Sequence, residues 1–147
     1  MRRVGRAAWT AVALAGLWAV AAGCSTPTSP TNSVPFTQTD LRVGVGTEAV
    51  NGSVVTVEYT GWFYDASRPD AKGVQFDTTT GREPFTFTVG AGQVIAGWEQ
   101  GMIGMRVGGL RRLIVPPSLA YGPNRIGLIP PNTTLLFEVE LVDVAVE

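Results

Sequence analysis

Apolar and polar residues alternate along several short stretches of the chain, which is the pattern of β-strands with one buried face. In residues 54–64 (VVTVEYTGWFY), Val and Tyr alternate with Thr and Glu after the turn signal Asn51-Gly52. The same alternation predicts three further strands, at residues 85–89, 110–115 and 135–142. Residues 40–45 are a candidate for another strand.

Only one segment, residues 94–102, has a helical pattern, and it is short. Several strands with a single short helix and no alternation of strands and helices indicate an α+β fold with an antiparallel sheet. Such a sheet can keep one face in water, which fits the polar face of the strands. We expect the helix to pack on the other face.

The N-terminal pattern is different. Arg2, Arg3 and Arg6 precede a mostly apolar run over residues 7–22, as in a secretory signal peptide. The run is shorter than the roughly 20 apolar residues that a transmembrane helix needs. We therefore predict a signal peptide over residues 1–23, and an exported protein.

The single cysteine, Cys24, directly follows the small residues at 21–23, as in the lipobox of bacterial lipoproteins. The resemblance implies lipidation of Cys24 and anchoring at the bacterial cell envelope. The usual pattern has Leu where this chain has Ala21, so a plain signal peptide with an incidental cysteine remains the alternative. Residues 24–39 are uncharged and rich in Ser, Thr and Pro, which predicts a flexible tether before a folded domain over residues 40–147.

The composition removes several function classes. The 147 residues include no His and one Cys, which excludes histidine-based triads, Cys–His dyads and zinc sites built from these ligands. The net charge of −1 argues against nucleic-acid binding, which normally needs a basic face. Without the three N-terminal arginines, 8 basic residues stand against 12 acidic ones, a net charge of −4.

Six short blocks occur in an order that resembles the FKBP family of peptidyl-prolyl cis-trans isomerases over residues 50–144. This family has a twisted antiparallel sheet wrapped around one short helix and needs no cofactor or metal, so the resemblance implies the same here. The blocks are residues 57–61 (VEYTG), 76–77 (FD), 84–87 (PFTF), 92–99 (GQVIAGWE), 120–122 (AYG) and 129–132 (IPPN).

The resemblance implies a substrate pocket between sheet and helix. Trp98 would form its floor and Phe85 its rim, and Leu128 and Ile129 would belong to an overhanging loop. The backbone N–H of Ile95 and the hydroxyl of Tyr121 would bind peptide carbonyls. Asp77 would either orient its neighbours or polarise the twisted bond. The walls would be Tyr59, Phe76, Phe87, Val94, Ile95 and Phe137. Taken singly, such aromatic residues are more often core residues than site residues, and only their joint order favours a site.

Two segments depart from the compact members of the family. Residues 62–75 are longer, which predicts either a solvated bulge or a longer hairpin. The loop after Tyr121 lacks a histidine that some members have, and this difference bears on substrate preference.

The predicted function is isomerisation of X–Pro bonds in exported proteins, within an aromatic pocket that removes water from the twisted amide. The implied partners are proline-containing peptides, unfolded exported proteins, macrolide immunosuppressants as inhibitors, and the membrane through the lipid anchor, with the protein itself a monomer. Two alternatives stay open: a non-catalytic peptide-binding or chaperone module of the cell envelope, and a structural lipoprotein in which the same residues form only core.

Overall fold

The computed structural model describes residues 33–145, which form six strands, one α-helix and one 3-10 turn. The predicted signal peptide, Cys24 and most of the predicted tether lie outside these residues. The elements are β1 (Thr37–Arg42), β2 (Val54–Tyr64), β3 (Lys72–Thr78), β4 (Phe85–Thr88), α1 (Ala96–Met102), β5 (Leu110–Val115), the 3-10 turn Pro117–Leu119, and β6 (Leu135–Ala145).

All strand pairs are antiparallel, and the sheet has the order β1-β5-β6-β2-β3. The long strand β2 has two partners on its other edge: its first residues pair with β4, and its last residues pair with β3. Because β2 and β6 are long and central, the sheet can curve around the single helix. The predicted α+β class, an antiparallel sheet wrapped around one short helix, is confirmed.

The core lies between α1 and the concave face of the sheet. Alternate residues of β2, β5 and β6 are buried there, including Val57, Leu113 and Val139, each with no exposed surface. Full burial of one such side chain stabilises the folded state by about 1.5–3 kcal/mol. The helix sits close to β5 because glycines face the strand: a Cβ atom at Gly101 would lie 2.6 Å from Leu113 Cδ2.

The opposite face of the sheet carries an ion cluster across three strands. Glu138 on β6 binds Lys72 of β3 at 3.0 Å and Arg112 of β5 at 2.7 Å. Partial burial by itself would raise the pKa of the Glu138 carboxyl, but the hydrogen bonds and charges of the two cations outweigh it and hold the pKa below its usual value. The Lys72 ammonium also lies 4.4 Å from the centre of the Trp62 ring.

Four predicted strands are present, with β2 and β5 at their predicted bounds. The folded part starts earlier than predicted, because β1 begins at Thr37, inside the range that the sequence assigned to the tether. All six β1 residues are exposed, so this edge strand pairs through its backbone and shows no apolar alternation. The helix begins at Ala96, two residues later than predicted.

Residues 62–75 form a longer hairpin, which decides between the two predicted alternatives: the end of β2 pairs with β3, and residues 65–71 make the turn. Asp65 closes this turn by accepting hydrogen bonds from the Ser67 backbone N–H at 3.0 Å and the Ser67 hydroxyl at 2.6 Å. Within residues 33–145 no helix combines the length and apolar character that crossing a membrane requires.

Candidate active site

A pocket of about 170 Å³ opens between the N-terminal end of α1 and the concave face of the sheet. Nine of the twelve residues predicted to contact substrate line this pocket, together with one residue that was not predicted, Gln93. The lining residues are Tyr59, Phe76, Asp77, Phe85, Gln93, Val94, Ile95, Trp98, Tyr121 and Phe137.

The base of the pocket is Trp98, which lies in the first half of α1 and is only 4% exposed. Its ring meets Tyr59 at 4.9 Å and Phe137 at 5.3 Å between centroids, in both cases with the ring planes at 86°. Aromatic rings prefer this edge-to-face geometry, which adds to the stabilisation from burial. The rings therefore hold one another in a defined, apolar cup.

The strand pattern explains why these rings meet. Tyr59 follows Val55 and Val57 on the inner face of β2, and Phe137 lies on β6 directly opposite Gly61. A Cβ atom at Gly61 would lie 2.8 Å from Phe76 Cζ and 2.9 Å from Phe137 Cε1. The glycine thus leaves the space in which the two phenylalanine rings come together, 5.7 Å apart and nearly perpendicular.

The polar side of the pocket is organised by Asp77. The Tyr59 hydroxyl donates a hydrogen bond of 2.6 Å to Asp77 Oδ2, and Asp77 Oδ1 accepts the Thr78 backbone N–H at 2.9 Å. The Arg82 guanidinium lies 3.7 Å from the same carboxylate, at the exposed edge. Burial, followed by the hydrogen bond to Asp77, raises the pKa of Tyr59 far above its ordinary value, so this phenol stays protonated.

Three donors of pocket residues have no acceptor among residues 33–145: the backbone N–H of Ile95, the hydroxyl of Tyr121 and the buried indole N–H of Trp98. Ile95 is the N-cap of α1, where the first N–H groups of a helix have no intrahelical partner. Burial and the nearby Asp77 carboxylate raise the pKa of Tyr121, which keeps its hydroxyl proton available. The Ile95 N–H and the Tyr121 hydroxyl are thus free to bind a carbonyl oxygen of a ligand.

The segment before the helix is held by Glu99 of α1. Its carboxylate accepts hydrogen bonds from the backbone N–H groups of Gly90 and, at 3.0 Å, Gly92. Gln93 was not indicated by the sequence. Its Oε1 atom accepts a hydrogen bond of 2.9 Å from the Thr88 backbone N–H, and the residue also lines the pocket. The only sequence signal for Gln93 was its place beside Val94 in the block at residues 92–99.

Three predicted substrate-binding residues do not line the pocket. Phe87 is 3% exposed and lies behind the wall, where its ring contacts Trp98 at 5.8 Å and stacks on Phe85. Ile129 is buried in the core, and its backbone exchanges two hydrogen bonds with that of Ile126 across a tight turn. Leu128, at the tip of that hairpin, is 75% exposed. Alternation along a strand identifies the residues of the inner face, but it does not show which of them line the pocket and which are buried behind the lining residues.

The arrangement is an aromatic cup with one carboxylate at its edge and free donors from Ile95, Tyr121 and the Trp98 indole. It can bind a compact apolar ring, exclude water from it and hydrogen-bond the carbonyls on either side. Among the described residues no three His, Cys, Asp or Glu side chains come close enough together to hold a metal ion.

Comparison with known proteins gives a consistent result. An FK506-binding protein of Neisseria meningitidis serogroup B is 47% identical over 107 residues, 71% of this chain and 92% of that protein. FK506-binding protein 1 of Gibberella zeae is 44% identical over 105 residues, 71% of this chain and 93% of that protein.

Among solved structures, the crystal structure of AtFKBP13 superposes with a TM-score of 0.64 at 37% identity, covering 75% of this chain and 93% of that one. FkpA from Escherichia coli gives the same TM-score of 0.64 at 36% identity, covering 74% of this chain and 47% of that one. Residues 46–142 also match the family model described as FKBP-type peptidyl-prolyl cis-trans isomerase. The chain therefore belongs to the family of FKBP-type peptidyl-prolyl cis-trans isomerases.

Proposed function

We propose that the pocket accelerates X–Pro rotation by taking the proline and its amide out of water and by holding the flanking carbonyls. The observation that carries this proposal is the pair of free donors, Ile95 N–H and Tyr121 hydroxyl, beside a ring-lined cup. The planar amide owes its rigidity to a charge-separated resonance form that water favours. The twisted amide has lost that form, so a dry pocket destabilises the planar state more than the twisted one.

The magnitude required is modest. Uncatalysed isomerisation takes about 10–100 s. An ordinary turnover of about 10²–10³ s⁻¹ requires an acceleration of about 10³–10⁵, which corresponds to roughly 4–7 kcal/mol. Two or three placed hydrogen bonds, each contributing about 0.5–1.5 kcal/mol, together with the removal of water from the amide, can lower the barrier by this amount. No nucleophile or proton transfer is needed.

Asp77 is assigned a positioning role toward Tyr59 in this proposal, because its Oδ2 atom already accepts the Tyr59 hydroxyl at 2.6 Å. A second role, polarisation of the twisted bond by the carboxylate, would make Asp77 act directly on the substrate. Tyr59→Phe separates the two. This substitution removes the hydrogen bond to Asp77 but leaves the carboxylate in place. If positioning of Tyr59 is the main role of Asp77, Tyr59→Phe should lower activity as much as Asp77→Asn does. If polarisation is the main role, Tyr59→Phe should lower activity less.

The activity is tested with the full-length protein in mild detergent and a chromogenic X–Pro tetrapeptide. We expect an isomerisation rate well above buffer alone. Tyr121→Phe removes one free donor and should lower kcat/KM by about threefold to tenfold. Tyr64→Phe is the matched control, because it removes a phenol of β2 that does not line the pocket. A wild-type rate equal to buffer would overturn the enzymatic proposal.

Macrolide binding distinguishes an active enzyme from a pure binding module. Since relatives with up to 48% identity are named FK506-binding proteins, we propose that FK506 occupies this pocket. Binding with a buffer-level isomerisation rate would favour the non-catalytic peptide-binding alternative. Loss of binding in Trp98→Ala, against retention in Trp62→Ala, would assign the ligand to this pocket, because Trp62 lies on the outer face of the sheet beside Lys72.

We further propose that the enzyme is exported, that Cys24 is lipidated, and that unfolded exported proteins are its substrates at the cell envelope. The support is the order of a basic start, an apolar run and a cysteine after small residues. Mass spectrometry of the mature N-terminus from the membrane fraction should find a lipid-modified Cys24. Cys24→Ser should release the protein from membranes. A mature chain with unmodified Cys24 would overturn the anchoring.

A further inference from the structure

Among residues 33–145, one charged residue is buried in the interior of the fold. Residues 111, 113 and 115 of β5 alternate inward against α1, and the first of these is Arg111, which is 7% exposed. A buried charge is stable only when it is paired and hydrogen-bonded. Leu113 and Val115, the other two, meet the helix at Gly101 and Gly97. Arg111 therefore continues the line along which β5 contacts α1.

The Arg111 guanidinium binds the end of the helix. Its Nη1 donates to the carbonyl oxygens of Gly101 at 2.7 Å and Ile103 at 3.1 Å. The last carbonyls of a helix have no partner within the helix and carry partial negative charge. The last turn of α1 has no basic residue of its own, so Arg111 supplies from the neighbouring strand the cation that such a terminus favours.

The same guanidinium binds the first strand of the sheet. Arg111 Nε donates to Asp40 Oδ1 at 2.6 Å and Nη2 donates to Asp40 Oδ2 at 3.2 Å, a two-point contact between β5 and β1. Without Asp40 the cation would stay buried with no counter-charge, which is strongly unfavourable. One side chain thus joins β1, β5 and the C-terminal end of α1.

We propose that Arg111 is a positioning residue of the isomerase: it fixes α1 on β5, and through the helix it fixes Trp98 and the Ile95 N–H, with Asp40 as its required partner. The helix has only seven residues, from Ala96 to Met102, so the end that Arg111 binds is about one turn from Trp98. A shift at one end of so short a helix reaches Trp98 at the other. The inference rests on the proposed isomerase activity.

The test compares Arg111→Met with Arg112→Met in the full-length protein. Arg112 is the next residue of the same strand, and its guanidinium binds Glu138 on the outer face at 2.7 Å, away from α1. For Arg111→Met we expect kcat/KM to fall by about tenfold or more, because small misplacement of binding groups is costly. We also expect the indole N–H signal of Trp98 to shift in a ¹H–¹⁵N spectrum. Arg112→Met should change neither.

A double variant separates positioning from simple charge pairing. Asp40→Arg combined with Arg111→Asp restores opposite charges, but aspartate has no donor for the carbonyls of Gly101 and Ile103. We expect no recovery of kcat/KM. Recovery to the wild-type value would overturn the proposal. So would an Arg111→Met protein with wild-type kcat/KM and an unmoved Trp98 signal, even if it unfolds more easily.

If Arg111→Met does not fold, Asp40→Asn provides the same test, because it keeps the shape of the partner and removes its charge. A lowered kcat/KM with a shifted Trp98 signal supports the proposal, and wild-type values of both contradict it. An inactive wild-type protein would instead contradict the proposed function. In that case the Trp98 signal alone tests whether Arg111 places the helix.

Discussion

Individual side chains of this pocket combine a defined shape, partial burial and hydrogen bonding. Tyr59 shows all three, since its ring packs on Trp98, its body is partly buried and its hydroxyl binds Asp77 at 2.6 Å. Sequence blocks were sufficient to identify these residues, because each belongs to an ordered motif. They did not identify Gln93, although it lies within the block at residues 92–99. They also did not identify the role of Arg111, whose contact with Asp40 joins segments distant in the chain.

The raised pKa of Tyr59 predicts how stability changes at alkaline pH. In the unfolded chain this phenol ionises near pH 10, whereas burial and the bond to Asp77 keep it protonated to higher pH in the folded state. Its contribution is therefore complete below about pH 10 and is lost as the pH rises further. The free energy of unfolding, measured by urea titration between pH 8 and 11, should fall at the alkaline end.

In Tyr59→Phe this alkaline decrease should become smaller, since the ionising group is gone. Tyr64→Phe is the control, because Tyr64 has no hydrogen bond of its side chain to Asp77. An unchanged alkaline slope in Tyr59→Phe would contradict the assignment of the decrease to this phenol.

At the scale of single elements, the strands with alternating patterns were predictable, whereas β1 and β3 were harder. β3 (Lys72–Thr78) pairs with β2 through two register shifts, and each shift breaks the two-residue period on which strand prediction depends. β1 is exposed along its whole length and has no apolar face to reveal it. The positions of edge strands and bulges depend on the partner strand, and the local sequence pattern carries no information about that partner.

The close contact of α1 with β5 predicts the effect of a small substitution. Gly101→Ala should improve the intrinsic helix propensity by up to about 1 kcal/mol. The added methyl group would lie 2.6 Å from Leu113 Cδ2, and such overpacking costs about 1–3 kcal/mol. We expect a net loss of stability of about 1 kcal/mol, together with a loss of isomerase activity as the helix moves.

Thermal and chemical unfolding measure this change. Gln100→Ala serves as the control, because Gln100 is exposed on the same helix and its substitution introduces no contact with β5. A Gly101→Ala protein that is more stable than wild type would show that the helix has room on β5, contrary to the packing described.

At the scale of the whole molecule, the fold follows from the sequence more directly than the pocket wall does. The α+β class required only the count of strands and helices, but Phe87 was predicted in the pocket wall and Ile129 in the overhanging loop, and both are buried in the core. Depth within a core is a property of the complete packing.

On the outer face of the sheet, Glu138 of β6 connects β3 and β5 through its ion pairs with Lys72 and Arg112.

This ion cluster predicts the acid stability of the protein. Because the pKa of Glu138 is lowered in the folded state, its contribution is present above the ordinary Glu value of about 4.3 and is lost as the pH falls through the lowered pKa. Urea unfolding between pH 6 and 3 should therefore show stability falling with acidification, and Glu138→Gln should flatten that fall.

Glu83→Gln removes a carboxyl group from an exposed turn and serves as the control for this measurement. If the acid dependence of stability is the same in Glu138→Gln and wild type, the cluster of Glu138, Lys72 and Arg112 does not hold the strands together as described.

The chemistry of the pocket lining also limits how the site can be inhibited. The ten residues around the cavity include no thiol, amine or imidazole, which are the groups that electrophilic inhibitors usually attack. The two phenols that are present have raised pKa values, so little phenolate exists to react at neutral pH. Covalent inhibitors would therefore find no reactive side chain in this pocket. Inhibitors must gain their affinity from reversible fit to the aromatic cup, and resistance would arise through changes in its shape.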